Sequence, residues 1–176
     1  MRPFLLIIDG SIGAGKSTAA KTIHVLFPRT VFLGVDHTKW FISHFKRDQR
    51  NNTIVNTVLL IMAKEFLRQK INIIVEQDFH DDLVQRYQQL GRRSGARVTT
   101  VLLTAERQVV LSRIHTRSQI PDPMNRPKLT KSFIIRHVAE QKEKQALHTQ
   151  HIDTTALSPA QVVKQILQFM KKRRRG

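Results

Sequence analysis

Residues 4–18 read FLLIIDGSIGAGKST, a short apolar run followed at once by a glycine-rich turn and by lysine, serine and threonine. The apolar run has the length of a buried strand, and the turn matches the pattern G-x-x-x-x-G-K-S. This pattern predicts a P-loop, in which backbone amides surround phosphate oxygens at the start of a helix. The stretch therefore predicts a site for a nucleoside triphosphate with its Mg²⁺.

The residue types of this loop suit that chemistry. Glycines let the backbone fold tightly, so that the amides from about Gly13 to Thr18 point at one set of phosphates. Lys16 adds a positive charge, and the Ser17 hydroxyl is placed to ligate Mg²⁺. The predicted nucleotide-binding residues are Gly10, Ser11, Gly13, Ala14, Gly15, Lys16, Ser17 and Thr18.

The chain carries 30 Lys and Arg against 13 Asp and Glu among 176 residues, a formal charge of +17. This excess favours contact with polyanions such as nucleic acid, and the alternative is a solvated helix surface. Residues 171–176 form the one dense basic cluster, and we expect them to be a disordered tail.

Length and composition set further limits. The length fits a single domain, which we expect over residues 1–170. The absence of cysteine excludes disulfides, thiolate catalysis and Cys-type zinc sites. The apolar run at residues 4–8 is too short for a membrane span or for the apolar region of a signal peptide, so we expect a cytoplasmic protein with no membrane partner.

Four more strands are predicted at 30–35, 71–76, 97–103 and 151–155, and helices at 16–27, 51–70, 81–93, 105–118, 132–148 and 159–170. This alternation predicts an α/β three-layer sandwich, a parallel sheet with helices on both faces. The site should lie at the carboxyl ends of the strands. Thr104 is expected to cap the helix at 105, and Ser158 and Gln161 to form a capping box.

The helix at 51–70 is expected to be structural. Its apolar residues at helical spacing predict the face toward the core, opposite a polar side. The apolar set is Ile54, Val58, Ile61, Met62 and Phe66, and the polar set is Asn52, Asn56, Lys64 and Arg68.

Several short motifs resemble the small P-loop kinases, the group that contains shikimate, gluconate, adenylate and polynucleotide kinases. Local likeness to chloramphenicol phosphotransferase lies in Leu26-Phe27-Pro28, Leu33-Gly34-Val35-Asp36, Ile74-Val75-Glu76-Gln77-Asp78-Phe79 and Asp153-Thr154-Thr155. The resemblance implies a five-stranded parallel sheet of order 2-3-1-4-5, a short lid at about 118–130, and ATP with Mg²⁺ as cofactors.

For Asp36 the resemblance implies the role of base or orienting acceptor for a substrate hydroxyl. A carboxylate opposite the γ-phosphate can take the proton and align the oxygen, although Asp is also common as a helix cap. Glu76 and Asp78 face one side if the strand persists. One of them is expected to serve the Mg²⁺ shell or the substrate, and the alternative is two solvated acids.

Arg113 and Arg117 resemble the L-x-R-x-x-x-R helix that precedes the lid in these kinases. The resemblance implies that they point at the phosphates or the adenine and stabilise transition-state charge. The alternative is a pair of arginines on an exposed helix. Arg126, in the proline-rich segment that follows, is a lid candidate for nucleotide binding. His37, beside Asp36, either touches substrate or is solvated.

We therefore expect an ATP-dependent kinase that phosphorylates a hydroxyl acceptor. The acceptor is a small molecule, such as a nucleoside, sugar or antibiotic, or the end of a nucleic acid. A polynucleotide 5′-hydroxyl kinase is favoured by the charge, whereas the likeness to chloramphenicol phosphotransferase favours a small-molecule acceptor. A nucleotide-binding regulator or RNA-binding NTPase with weak turnover is the alternative from another class. Deoxynucleoside kinases rank low, because their Glu-Arg-Ser motif after the third strand is missing.

Overall fold

The computed structural model describes residues 2–46, 48–76, 78, 81–119, 129–143 and 150–171. They form five strands, β1 (Phe4–Gly10), β2 (Thr30–Gly34), β3 (Asn72–Glu76), β4 (Arg97–Thr104) and β5 (Gln150–Asp153). The sheet order is β2-β3-β1-β4-β5, and every neighbouring pair is parallel. The predicted fold class and strand order are confirmed.

Several predictions fall on positions outside the described residues. These positions are Gln77, Phe79, most of the predicted lid (120–128, with Arg126), the end of the helix at 132–148, and 172–176 of the basic tail.

The helices in the described part of the chain are α1 (Lys16–Leu26), α2 (Val35–Lys39), α3 (Gln49–Arg68), α4 (Asp81–Arg93), α5 (Arg107–Ser118), α6 (Lys131–Glu143) and α7 (Pro159–Lys171). The last helix continues one residue beyond its predicted end, so Lys171 belongs to α7 rather than to the tail. None of the helices described is both long and apolar enough to cross a membrane.

β1 is the centre of the sheet and is buried along its whole length. Alternate residues face opposite layers because side chains alternate across a strand. Leu6 and Ile8 belong to the apolar cluster that includes buried residues of α1 and α7. Leu5 and Ile7 belong to the cluster formed with α3 and α4. Each such side chain contributes about 1.5–3 kcal/mol by burial, so both helix layers are stabilised against the strand that leads into the P-loop.

The predicted inward face of α3 is wrong. The buried residues are Val55, Leu59, Ala63 and Leu67, whereas Ile54, Val58 and Ile61 are exposed and Met62 and Phe66 are partly buried. The helix is apolar on two adjacent stripes, and periodicity alone does not show which one meets the sheet. The stripe of Val55, Leu59, Ala63 and Leu67 lies inward, in one apolar cluster with Leu5 and Ile7 of β1.

Two predicted caps have opposite outcomes. Thr104 does not cap α5: it is the last residue of β4, paired with Asp153, and its Oγ1 lies 2.7 Å from His151 Nε2. At α7 the capping box is confirmed, because Ser158 N–H donates to Gln161 Oε1 at 2.8 Å and Gln161 N–H donates to Ser158 Oγ at 3.3 Å.

Candidate active site

A cleft of about 2260 Å³ opens beside the P-loop at the carboxyl ends of the strands. Its lining includes the P-loop from Ile12 onward, the end of β3 and parts of α2, α3, α4, α5 and α6. Sites for one small ligand usually occupy about 300–1000 Å³. The cleft therefore has room for a nucleotide and a second substrate together.

The loop at the base of the cleft depends on two glycines. Gly10 has φ +138°, and a Cβ there would collide with the carbonyl of Leu103 on β4. Gly13 has φ +74°, in the left-handed region, and a Cβ there would lie 3.0 Å from Val110 Cγ1. Neither position accepts a side chain without strain, so both glycines keep the loop in this shape.

The side chain of Lys16 folds back over the P-loop residues that precede it. Its Nζ donates to the carbonyl of Gly10 at 2.9 Å and to that of Ser11 at 3.1 Å. An ammonium group has three N–H donors, so these two bonds leave a donor for a phosphate oxygen. Gly10 and Ser11 themselves are buried, and they supply carbonyls to Lys16 while the residues from Gly13 to Thr18 line the cleft.

Of the three residues predicted to hold Mg²⁺, Ser17 and Glu76 contact each other, whereas Asp78 contacts a different residue. Ser17 Oγ donates to Glu76 Oε1 at 3.0 Å, and Glu76 is buried at the end of β3. This pair offers the hard oxygen donors that Mg²⁺ prefers, and phosphate oxygens and water would complete its shell. Within the described residues no group of three His, Asp or Glu forms a metal site. Asp78, two residues beyond Glu76, instead meets His137 at 2.6 Å.

Arg113 lines the cleft from α5 and braces the P-loop. Its Nη1 donates to Gly13 O at 3.3 Å and to Thr154 Oγ1 at 3.0 Å, and its Nη2 donates to Thr154 O at 2.7 Å. Thr154 is buried, and its hydroxyl contacts Ala14 O at 3.2 Å. The guanidinium thus ties the P-loop to the segment after β5, and its contact with nucleotide phosphates stays a prediction.

Arg117 lies one turn beyond Arg113 and also lines the cleft. Its side chain is exposed, so it is available to a bound nucleotide. His37 packs edge-on against Phe32, with ring centroids 6.0 Å apart, and is not among the described residues that line the cleft.

Asp36 lines the cleft from α2. The predicted strand ends at Val35, directly before Asp36. In the structure β2 ends at Gly34, so Asp36 lies in the first turn of a short helix. Acids are favoured there by the helix dipole. Its carboxylate is half exposed and lies 3.4 Å from Lys39 Nζ.

One polar stripe of α3 was missed as a site feature, because the helix was expected to be structural. It lines the cleft with uncharged hydrogen-bonding side chains: Gln49, Asn52, Thr53, Asn56 and Thr57. A merely solvated face usually carries Lys and Glu. The preference for amides and hydroxyls on one helix face is the sequence signal that would have indicated a ligand-facing surface.

The charge of the cleft differs from that of the chain. Among the described lining residues, six are acids (Asp36, Asp48, Glu76, Asp78, Asp82 and Glu140) and six are Lys or Arg (Lys16, Lys39, Arg86, Arg113, Arg117 and Lys131). The chain as a whole has 13 acids against 30 Lys and Arg. The described lining of the cleft is therefore balanced in charge, whereas the chain as a whole is strongly positive.

Comparisons with known proteins agree with this fold. Residues 5–140 match the model of the AAA domain family, while no curated protein matches significantly. The tunicamycin resistance protein of Deinococcus radiodurans has a similar structure, with a TM-score of 0.69, 20% identity and coverage of 98% of both chains.

Two other similar structures come from proteins of different kinds. Shikimate kinase from Acinetobacter baumannii, solved with shikimate, has a TM-score of 0.65 and 17% identity over 96% of this chain and 92% of its own. A chain of an RNA repair complex has the same TM-score and identity over 82% of this chain and 46% of its own. At these identities the likeness shows the fold alone. The family match and that fold together show that the chain belongs to the AAA domain family and has the fold of the small P-loop kinases.

Proposed function

We propose that this protein transfers the γ-phosphate of ATP to a hydroxyl group of a small, uncharged or weakly charged acceptor. The observation that carries the proposal is that the P-loop residues Lys16 and Ser17 and the carboxylate of Asp36 line one cleft. A P-loop holds the phosphates, and a carboxylate across the cleft takes the hydroxyl proton. We place the reaction in the cytoplasm, where ATP is available.

Each group has a defined part in this transfer. Mg²⁺, when bound with ATP, neutralises charge on the β- and γ-phosphates, and Ser17 with Glu76 would hold it. Lys16 binds the same phosphates, and Arg117 donates to oxygens that gain charge. Asp36 accepts the proton of the attacking hydroxyl, so that the new O–P bond forms as the bond to ADP breaks.

The lining of the cleft supports a small acceptor. The stripe on α3 presents amides and hydroxyls, which both donate to and accept from hydroxyl groups. The described lining carries as many acids as Lys and Arg, so it has no net positive charge to attract a polyanion. A nucleoside, a sugar or a hydroxyl-bearing antibiotic satisfies both conditions.

The net charge of +17 favours a second candidate, the 5′-hydroxyl end of a polynucleotide held by basic side chains. Binding to a single strand would then weaken with salt, at a logarithmic slope of about 0.7 per phosphate contacted.

A release assay for ADP tests the proposal. Pools of nucleosides, sugars, hydroxyl antibiotics and 5′-hydroxyl oligonucleotides are added to the protein with ATP and Mg²⁺, and Lys16→Ala is the control. We expect one class of small acceptor to stimulate ADP release in the wild type alone. Stimulation by oligonucleotides that weakens with salt would favour the second candidate. ADP release that no acceptor changes would indicate an NTPase or a nucleotide-binding regulator.

A further inference from the structure

The contact between Asp78 and His137 joins two elements that are distant in sequence. His137 lies on α6, and its Nε2 is 2.6 Å from Asp78 Oδ2, just beyond β3. The other ring nitrogen, Nδ1, accepts the backbone N–H of Ile12 at 3.4 Å. The imidazole thus connects the P-loop to a carboxylate, and both side chains of the pair line the cleft.

The two contacts determine the tautomer of His137. A nitrogen that accepts an N–H carries no proton, so Nδ1 is unprotonated and Nε2 bears the hydrogen. An ionised carboxylate only accepts, which requires the same Nε2–H. Both bonds form together in the neutral Nε2–H tautomer.

Packing fixes the position of this ring. Ile134 and Val138, which flank His137 on α6, are buried in one cluster with Ile12 packed against it. The ring of Phe133 lies 5.6 Å from that of His137, and the imidazole is only 12% exposed. A side chain held on three sides has little rotamer freedom, so it can transmit the position of the P-loop to Asp78.

Asp78 follows a strand that lies between the strand leading to Asp36 and the strand leading to the P-loop. β3, which it follows, is located in the sheet between β2 and β1. The first of these leads to Asp36 and the second to the P-loop. The distance of a hydroxyl acceptor bound to Asp78 from the γ-phosphate would therefore be set by two hydrogen bonds. One joins Asp78 to His137, and the other joins His137 to Ile12 of the P-loop.

We propose that His137 is a positioning residue for the acceptor, because it holds the Asp78 carboxylate in register with the P-loop. This rests on the proposed function. Misplacement by about 1 Å can reduce transfer about 100-fold without loss of nucleotide binding. The acceptor is thus oriented by two carboxylates, Asp36 and Asp78, of which the second is held by the imidazole.

Two substitutions, each of which reproduces only one of the two ring nitrogens, distinguish this positioning role from a structural one. The amide of His137→Gln reaches the position of Nε2 and can donate to Asp78. The amide of His137→Asn reaches the position of Nδ1 and can accept from Ile12. His137→Ala loses both bonds, and His24→Ala, an exposed histidine on α1, is the matched control.

The variants are compared by acceptor KM and kcat, by the Kd of ATP-Mg²⁺ and by thermal unfolding. We expect the His24→Ala control to stay within about threefold of the wild type, whereas His137→Asn, His137→Ala and Asp78→Asn lose at least about tenfold in kcat/KM for the acceptor. His137→Gln should lose less than these three, because it keeps the 2.6 Å bond to Asp78 and loses only the longer bond of 3.4 Å to Ile12. ATP affinity stays unchanged in all of them. The double variant Asp78→Asn/His137→Ala loses no more than either single variant, because the two residues act as a unit.

Three outcomes would overturn this role while leaving the kinase reaction intact. They are equal losses of kcat/KM in the Gln, Asn and Ala variants, parallel losses of ATP affinity, and no loss of kcat/KM in His137→Ala. Failure of the wild type to phosphorylate any acceptor would instead contradict the proposed function and this inference with it.

Discussion

Ser17 Oγ donates a hydrogen bond of 3.0 Å to Glu76 Oε1 across 59 positions of sequence. It joins the first turn of α1 to the end of β3, where β3 pairs with β1 in the register Glu76 to Ile8. A hydroxyl and a buried carboxylate are thus held together beside the phosphate loop. We infer that they form the protein's part of the Mg²⁺ shell.

Glu76→Gln should raise the Mg²⁺ concentration required for transfer, because an amide oxygen binds a hard cation less well than a carboxylate does. We expect the effect to be largest at limiting Mg²⁺ and to diminish as Mg²⁺ is increased. A titration of initial rate against Mg²⁺ measures it. Identical Mg²⁺ curves for variant and wild type would remove Glu76 from the shell.

Asp36→Asn keeps the shape of the side chain but removes the base. General-base catalysis contributes about 10² to 10⁴ in rate, and phosphoryl transfer is loose, so we expect a loss near 10² in kcat with unchanged ATP affinity. Glu65→Gln, a surface acid bonded to Arg68, is the control and should be silent. If Asp36→Asn stays within about threefold of wild type, Asp36 is a helix-turn residue and the acceptor needs no base.

Arg113 and Arg117 should differ despite their similar position on α5. Arg113→Ala removes three hydrogen bonds to the P-loop and Thr154, so we expect a loss of about 1–3 kcal/mol in the free energy of unfolding and weaker ATP binding. Arg117→Ala should change that free energy by less than about 0.5 kcal/mol and lower only the transfer rate. Chemical denaturation and ATP titration distinguish them, and equal destabilisation would contradict the bracing role.

The fold was predictable because its signals are local. The P-loop, the buried strands and the capping box at Ser158 each lie within a few consecutive residues. Features that depend on tertiary contacts were missed. Periodicity did not select the Val55 stripe of α3, and nothing near His137 indicates a contact with Asp78 across 59 positions. Such pairs become visible only when the sheet brings its strand ends together.

Tyr87, the single tyrosine of the chain, gives a prediction at alkaline pH. Burial raises the pKa of Tyr87 well above its ordinary value of about 10. The unfolded chain therefore releases this proton first, and the free energy of unfolding falls as pH rises above about 10, by up to about 1.4 kcal/mol per pH unit from this group.

Tyr87→Phe should remove that part of the pH dependence. Denaturation of both proteins on either side of pH 10 measures the difference, and tyrosinate absorbance should appear in the wild type only as it unfolds. Tyrosinate formed in the native protein near pH 10 would show that the phenol is accessible to base.

The most direct test of the account follows the phosphate itself. The protein is incubated with γ-labelled ATP, Mg²⁺ and the acceptor found by ADP release, and the label is located by chromatography and mass spectrometry. We predict one phosphate on an acceptor hydroxyl, in amounts equal to the ADP formed and reduced at least about 100-fold in Lys16→Ala. Label recovered only as free phosphate, or transfer of equal rate in Lys16→Ala, would contradict it.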